Sequence, residues 1–284
     1  MATKKPVAEK PVAKPTSTAV MSWQDRMAQE AKVAAGMEES TATGQFFSLK
    51  SGVLAFNDAP LPGNEMGVII LDGVLENVFY EGAYDPDTPQ GPSCFAFGRE
   101  EKTMAPHKIV IENNSSQAGA SGLCEGCEMN EWGSAAIGKG KACRNVRRLA
   151  MIPAGTIENG RFKAFTEGDH FETAGIGFMK VPVMSVKGYA AFVKQVAGAL
   201  NRPPFAIFTR VKVVPDDKSQ FRVVFEPISQ VPDELMDIIL RRHDEARLAI
   251  ESPYTPYDES TAPPPPPKRG LKAQQPAKKV GRKY

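Results

Sequence analysis

Four cysteines are the residues of this chain best suited to chemistry, and all fall in one stretch. They are Cys94, the pair Cys124 and Cys127 in the run Gly122-Leu123-Cys124-Glu125-Gly126-Cys127, and Cys143. Two thiolates two residues apart can grip one metal ion from a tight turn, and two more brought in by folding would complete the tetrahedron that zinc prefers. Two other fates stay open at this point. Free cysteine is a common small buried hydrophobe, and a Cys-x-x-Cys pair can carry thiol redox chemistry. In the redox reading Cys94 and Cys143 would have no job. A disulfide framework fits poorly, because Met1-Ala2-Thr3-Lys4-Lys5-Pro6 opens the chain with lysine and proline and without an apolar stretch of the secretory kind. The expectation is a reducing, cytoplasmic setting and a zinc ion held by Cys94, Cys124, Cys127 and Cys143. His107 is the substitute ligand should one cysteine drop out.

Other chemistries are weakly represented. Gly133-Ser134-Ala135-Ala136-Ile137-Gly138-Lys139 begins like a phosphate-binding loop, but Gly140 stands where a Ser or Thr must hold magnesium. No carboxylates cluster at a spacing that suits nuclease metal chemistry, and His107, His170 and His243 form no ligand motif. A non-enzymatic role is expected.

Next to the cysteines lies a strongly basic run. Lys139, Lys141, Arg144, Arg147 and Arg148 follow closely, with no carboxylate between Trp132 and Ile157. In an acidic body this makes a local electropositive patch. Aromatic residues lie near or alternate with cations: Trp132 in the cysteine loop, Tyr80, and Phe208 interleaved with Arg210 and Lys212. Unstacked bases can lie on such rings while cations track phosphate. For Trp132 and Phe208, packing inside the fold competes with base stacking. On this reading, replacing Arg147 and Arg148 by alanine should weaken binding and flatten its salt dependence.

The elements that must position these residues can be read from periodicity. Residues 1–19 hold four lysines against one glutamate, and residues 263–284 hold seven basic residues against no acid. Residues 20–262 therefore carry 24 basic and 32 acidic side chains, a net charge of −8. The tails, 1–20 and 261–284, are too polar or proline rich to offset ordering entropy and are expected to be disordered. No apolar run is long enough for a membrane span. Between the tails, one domain over residues 21–260 should begin with a helix from Ser22 to Ala35. Strands follow at Gly67–Leu71, Leu75–Tyr80 after a turn at Asp72-Gly73, Cys94–Phe97, Lys108–Ile111 and Val146–Ile152. A loop insertion spans about 94–143. A helix from Ser185 to Leu200 presents Tyr189, Phe192, Val193, Val196 and Leu200 on one face. A strand at Phe205–Val214 then pairs back with Gln220–Glu226, and a last helix runs from Pro232 to about Ile250.

The segment from about Phe47 to Ile152 resembles a family of bacteriophage-encoded proteins suspected of binding single-stranded DNA in replication. The residues that carry the resemblance are Pro62-Gly63-Asn64, Asn77-Val78-Phe79-Tyr80 with Tyr84-Asp85-Pro86, and Pro92-Ser93-Cys94-Phe95-Ala96. With them go Cys124-x2-Cys127-x2-Asn130, Trp132-Gly133-Ser134 and Gly138-Lys139-Gly140-Lys141-Ala142-Cys143. Arg202-Pro203-Pro204-Phe205 and Pro253-Tyr254 extend it more diffusely. The resemblance implies an OB-like barrel carrying a zinc insertion, a place in phage DNA replication or recombination, and the cytoplasm of an infected bacterial host. The chain departs from the pattern in finishing basic where such proteins often finish acidic. The expectation is therefore an α+β, β-rich protein that binds single-stranded DNA without strong sequence preference, with replication proteins as further partners. The competing class is a zinc-stabilised virion or scaffold component with no nucleic-acid role.

Overall fold

Two central strands are apolar on both faces, and the architecture follows from burying them. The structure is a computed structural model that describes Met27 and residues 45–82, 91–165 and 169–254. The expected tails lie outside the described residues, as does the expected N-terminal helix apart from helical Met27. Ten strands form one sheet: β1 (Gln45–Ser48), β2 (Ala55–Phe56), β3 (Ala59–Pro60), β4 (Glu65–Phe79), β5 (Cys94–Gly98), β6 (Arg144–Glu158), β7 (Arg161–Ala164), β8 (Gly177–Val181), β9 (Ile207–Asp216) and β10 (Gln220–Gln230). Their order is β10-β9-β4-β6-β8-β1-β2-β3, with β5 added to β4 and β7 to β6. The β1–β8 pairing is parallel, whereas β4 pairs antiparallel with β5, β6 and β9. Helices α1 (Lys108–Glu112) and α2 (His170–Thr173) are short, while α3 (Val183–Leu200) and α4 (Asp233–Ala249) are long.

A long helix covers each face. On one, Tyr189, Phe192 and Val196 of α3 pack on Val68, Ile70, Leu149, Met151, Met179 and Val181. On the other, Ile239 and Ala246 of α4 and the following Ile250 pack on Ile69, Leu71, Ala150 and Ile152. The alternation of β4 and β6 residues between two cores explains why their sequences read as continuous apolar runs. The protein is thus α+β and sheet-rich. The 3₁₀ turn Lys50–Gly52 after β1 packs against β9 and β10, and a Cβ at Gly52 would lie 3.4 Å from the Phe221 ring. The sheet therefore curls until its ends approach. Among the described residues no strand pairing joins them, so the sheet is open at this seam.

Two local expectations are corrected. Asp72-Gly73 does not turn the chain: β4 runs unbroken through it, with a register irregularity between Ile70 and Asp72 that absorbs the extra residue. Gly73 is required by close approach, since a Cβ there would meet Leu149 and the Tyr189 hydroxyl at 3.0 Å. Lys108–Ile111 is helical, not extended. His107 caps it, Nδ1 accepting from the Ile109 amide at 3.3 Å. The later elements follow the periodicity closely, with β9 sending Ile207, Val211 and Val213 to one core and Phe208 to the other.

The Asp72 side chain receives both ends of the Arg99 guanidinium, at 3.0 and 2.6 Å. Burial alone would raise its pKa, but the Arg99 hydrogen bond, the Gly73 amide and nearby positive charge hold it below the ordinary 3.8. A carboxylate whose folded pKa is depressed adds stability above its unfolded pKa and loses it as pH falls through the folded value. Urea midpoints should therefore fall between about pH 5 and pH 2, and Asp72→Asn should remove part of that acid slope.

Candidate functional site

The four cysteines converge. Cys94 opens β5, Cys124 and Cys127 sit in the loop between α1 and β6, and Cys143 immediately precedes β6, yet all four line one cavity of about 20 Å³. That is room for one water-sized body, which needs roughly 10–15 Å³. Between Asn113 and Cys143 only one 3₁₀ turn, Glu128–Asn130, is regular. The loop is ordered instead by backbone bonds such as Cys124 N to Met104 O at 2.8 Å and Cys143 N to Met129 O at 2.7 Å. Burial, then the other three cysteines, pushes the Cys143 thiol up to about 12, and burial also raises Cys94 and Cys124. The Cys127 thiol donates to the Gln117 carbonyl at 3.1 Å. Among the described residues, no three His, Cys, Asp or Glu side chains are drawn tightly enough together to hold an ion as they stand. The donor set and cavity size nonetheless suit a single thiophilic ion, whose charge would offset the cost of the thiolates. His107 does not line the cavity; its ring stacks on Phe95 at 5.2 Å.

On the opposite face of the same strands lies an open groove of about 620 Å³. Its cations come from three places: Lys50 from the turn after β1, Arg144 at the start of β6, and Lys180 on β8. Tyr80 stands among them, with Arg144 5.6 Å and Lys180 5.8 Å from its ring centroid and the Lys180 ammonium donating to its hydroxyl at 3.3 Å. Phe221 and Met184 add apolar walls, and Met184 is 57% exposed. Among the described residues, no carboxylate lines this groove. The first residues of α3 also line it. No side chain caps that 18-residue helix and no acidic residue occupies its first turn, so its positive end is left for an outside anion.

Of the residues singled out from sequence, the structure brings Tyr80 and Arg144 into this groove and distributes the rest elsewhere. Lys139 is exposed on the cysteine loop, where Trp132 is 79% exposed and Lys141 stands 5.8 Å over its ring. Arg147 is half-buried, Nη1 donating to the Val146 carbonyl at 3.0 Å. Arg148 is not a surface cation. It meets buried Glu76 at 3.0 Å, donates to the carbonyls of Ile250 and Ser252 at 3.2 and 2.7 Å, and lies 4.1 Å from the Phe97 ring centroid. Phe208 is only 5% exposed, with the rings of Phe162 and Phe171 beside it, and offers no free face. Arg210 is bonded to Glu65 and Glu226, and Lys212 lies 3.6 Å from Glu65. For Arg147, Arg148, Phe208, Arg210 and Lys212 strand pairing decides: alternate residues go to opposite faces, and inward charges need partners.

Lys50, Lys180, Phe221 and the α3 start were missed because each is a lone residue in its own segment. The one local signal was Lys180-Val181-Pro182-Val183-Met184, a cation leading into a helix start with exposed apolar residues. No helix of the described residues is long and apolar enough to cross a membrane. Comparison with protein families, curated proteins and solved structures finds no match to this chain.

Proposed function

We propose that this protein binds single-stranded DNA, without strong sequence preference, in the groove at the seam of the curled sheet. The observation that carries the reading is the convergence of Lys50, Arg144 and Lys180 on one groove, the latter two at the Tyr80 ring; the carboxylates nearest these cations, Asp58 at 3.8 Å from Lys50 and Glu76 at 3.9 Å from Lys180, stand outside its lining. The cations would neutralise successive phosphates, and the uncapped α3 terminus would bind another through its backbone amides. Phe221, Met184 and the free parts of the Tyr80 ring would receive bases that a duplex keeps stacked on one another. The curled sheet is read here as an OB-like barrel, with the four-cysteine loop as its zinc insertion. Bound zinc would supply a fixed tetrahedral cross-link, holding the loop that leads into Arg144. A phage replication or recombination role in the bacterial cytoplasm, alongside replication proteins, is the setting this reading carries.

The test is a fluorescence anisotropy titration of the full chain with labelled oligo-dT at several salt concentrations. The three cationic side chains, each neutralising one phosphate, predict a slope near −2 in log K against log salt, from about −0.7 per contact on single strands. Duplex of equal length should compete poorly. Failure to bind oligo-dT at low salt would overturn the reading and favour the assembly-protein class.

A further inference from the structure

The thiol cavity and the basic groove share a wall. On β4, Asn77 and Phe79 line the cavity, while Val78 and the following Tyr80 line the groove. On the other side of the ribbon, Cys143 lines the cavity, while Arg144 and Val146 line the groove. The strands are registered Asn77 to Asn145 and Val78 to Arg144. Since side chains alternate across a strand, the two sites lie back to back across a backbone one residue thick.

Asparagines lock this ribbon to the cysteine loop. Asn145 Nδ2 donates to Asn77 Oδ1 at 2.6 Å and to Asn130 Oδ1 at 3.0 Å. Asn130, almost fully buried, donates to the Cys124 carbonyl at 2.9 Å, and its Oδ1 also receives Lys141 Nζ at 3.3 Å. One chain of amides therefore runs from the Cys124 turn to the residue beside Arg144. Such a buried polar network has few alternative arrangements, because a broken link strands a buried amide.

We infer that an ion gripped by the four cysteines sets the groove's affinity for a single strand through this shared ribbon, with Asn145 and Asn130 as positioning residues. The inference rests on the nucleic-acid reading of the groove. Drawing the thiols together moves the Cys124 turn and Cys143. Asn130 and Asn145 pass that displacement to the β4–β6 pair, and Arg144 and Tyr80 are fixed relative to Lys180. Without the ion the same strands hold the groove in a looser distribution, so part of the binding energy is lost in ordering it.

The experiment uses the full chain with one equivalent of zinc and after removal by a chelator, reading oligo-dT anisotropy and amide hydrogen exchange in residues 78–80 and 144–146. Wild type should lose affinity about tenfold on zinc removal, within the usual range for coupled sites, and exchange in both segments should accelerate. Asn145→Ala should still take up one zinc, measured by release to a chromogenic chelator. It should bind oligo-dT with zinc about as weakly as wild type does without it. Unchanged affinity and exchange on zinc removal would overturn the inference, as would a protein that takes up no zinc or an Asn145→Ala variant with the full wild-type response. If Asn145→Ala does not fold, the wild-type exchange result decides. Zinc-dependent exchange without any oligo-dT binding would sink the nucleic-acid reading and leave the mechanical link standing.

Discussion

Arg148→Ala lowers the free energy of unfolding by about 3–5 kcal/mol, the usual cost of stripping one partner from a buried ion pair. Glu76 is fully buried, one oxygen receives Arg148 and the Tyr254 hydroxyl, and the other meets no donor among the described residues. Lys180, 3.9 Å away, is too distant to replace the lost hydrogen bond. The guanidinium also ties down the segment after α4 through two carbonyls and lies 4.9 Å from the Tyr254 ring centroid. Tyr254 is itself held protonated by burial and by Glu76. Urea denaturation measures the loss, and Arg148→Lys should recover only a minor part, since an ammonium cannot serve a carboxylate, two carbonyls and a ring from one plane. A loss under about 1 kcal/mol, the range of exposed pairs, would remove Arg148 from this structural role.

The double variant Lys50→Ala, Arg144→Ala reduces the salt slope of oligo-dT binding by about 1.4, from two lost contacts at roughly 0.7 each. Both side chains are solvent-exposed, and the Lys50–Asp58 pair at 3.8 Å is exposed on both sides and of little worth, so stability should stay within about 0.5 kcal/mol of wild type. Lys180 is left out of this test because it also faces Glu76 and lies 4.6 Å from the Tyr254 ring centroid. Arg147→Ala is the control, with an unchanged slope, because Arg147 does not line the groove. A slope as steep in the double variant as in wild type would place the nucleic-acid contacts elsewhere.

How much of this was legible beforehand depends on distance along the chain. The α3 and α4 helices and the β9–β10 hairpin are local, and Tyr189, Phe192 and Val196 fall on the buried face that their spacing indicates. Lys108–Ile111 misled because four apolar-rich residues fit helix and strand equally; Pro106 and the capping His107 were the available correction. The cluster of cysteines was visible, and their convergence on one cavity follows it. The basic run misled more, because a count of cations ignores alternation: once β6 starts at Arg144, Arg147 and Arg148 must take opposite faces. The groove could not be read locally, since its cations come from β6, β8 and the turn after β1, which the strand order brings together out of sequence.

The parallel pairing of β1 with β8 places Gln45 against Gly177. During synthesis at about 5–20 residues per second, β1 therefore waits several seconds, its hydrogen-bonding edge bare, before its mate leaves the ribosome. The Lys50 side of the groove is completed late, and a nascent chain can assemble the β4–β6 pair and the cysteine loop before Lys180, Met184 and Phe221 arrive to finish its walls.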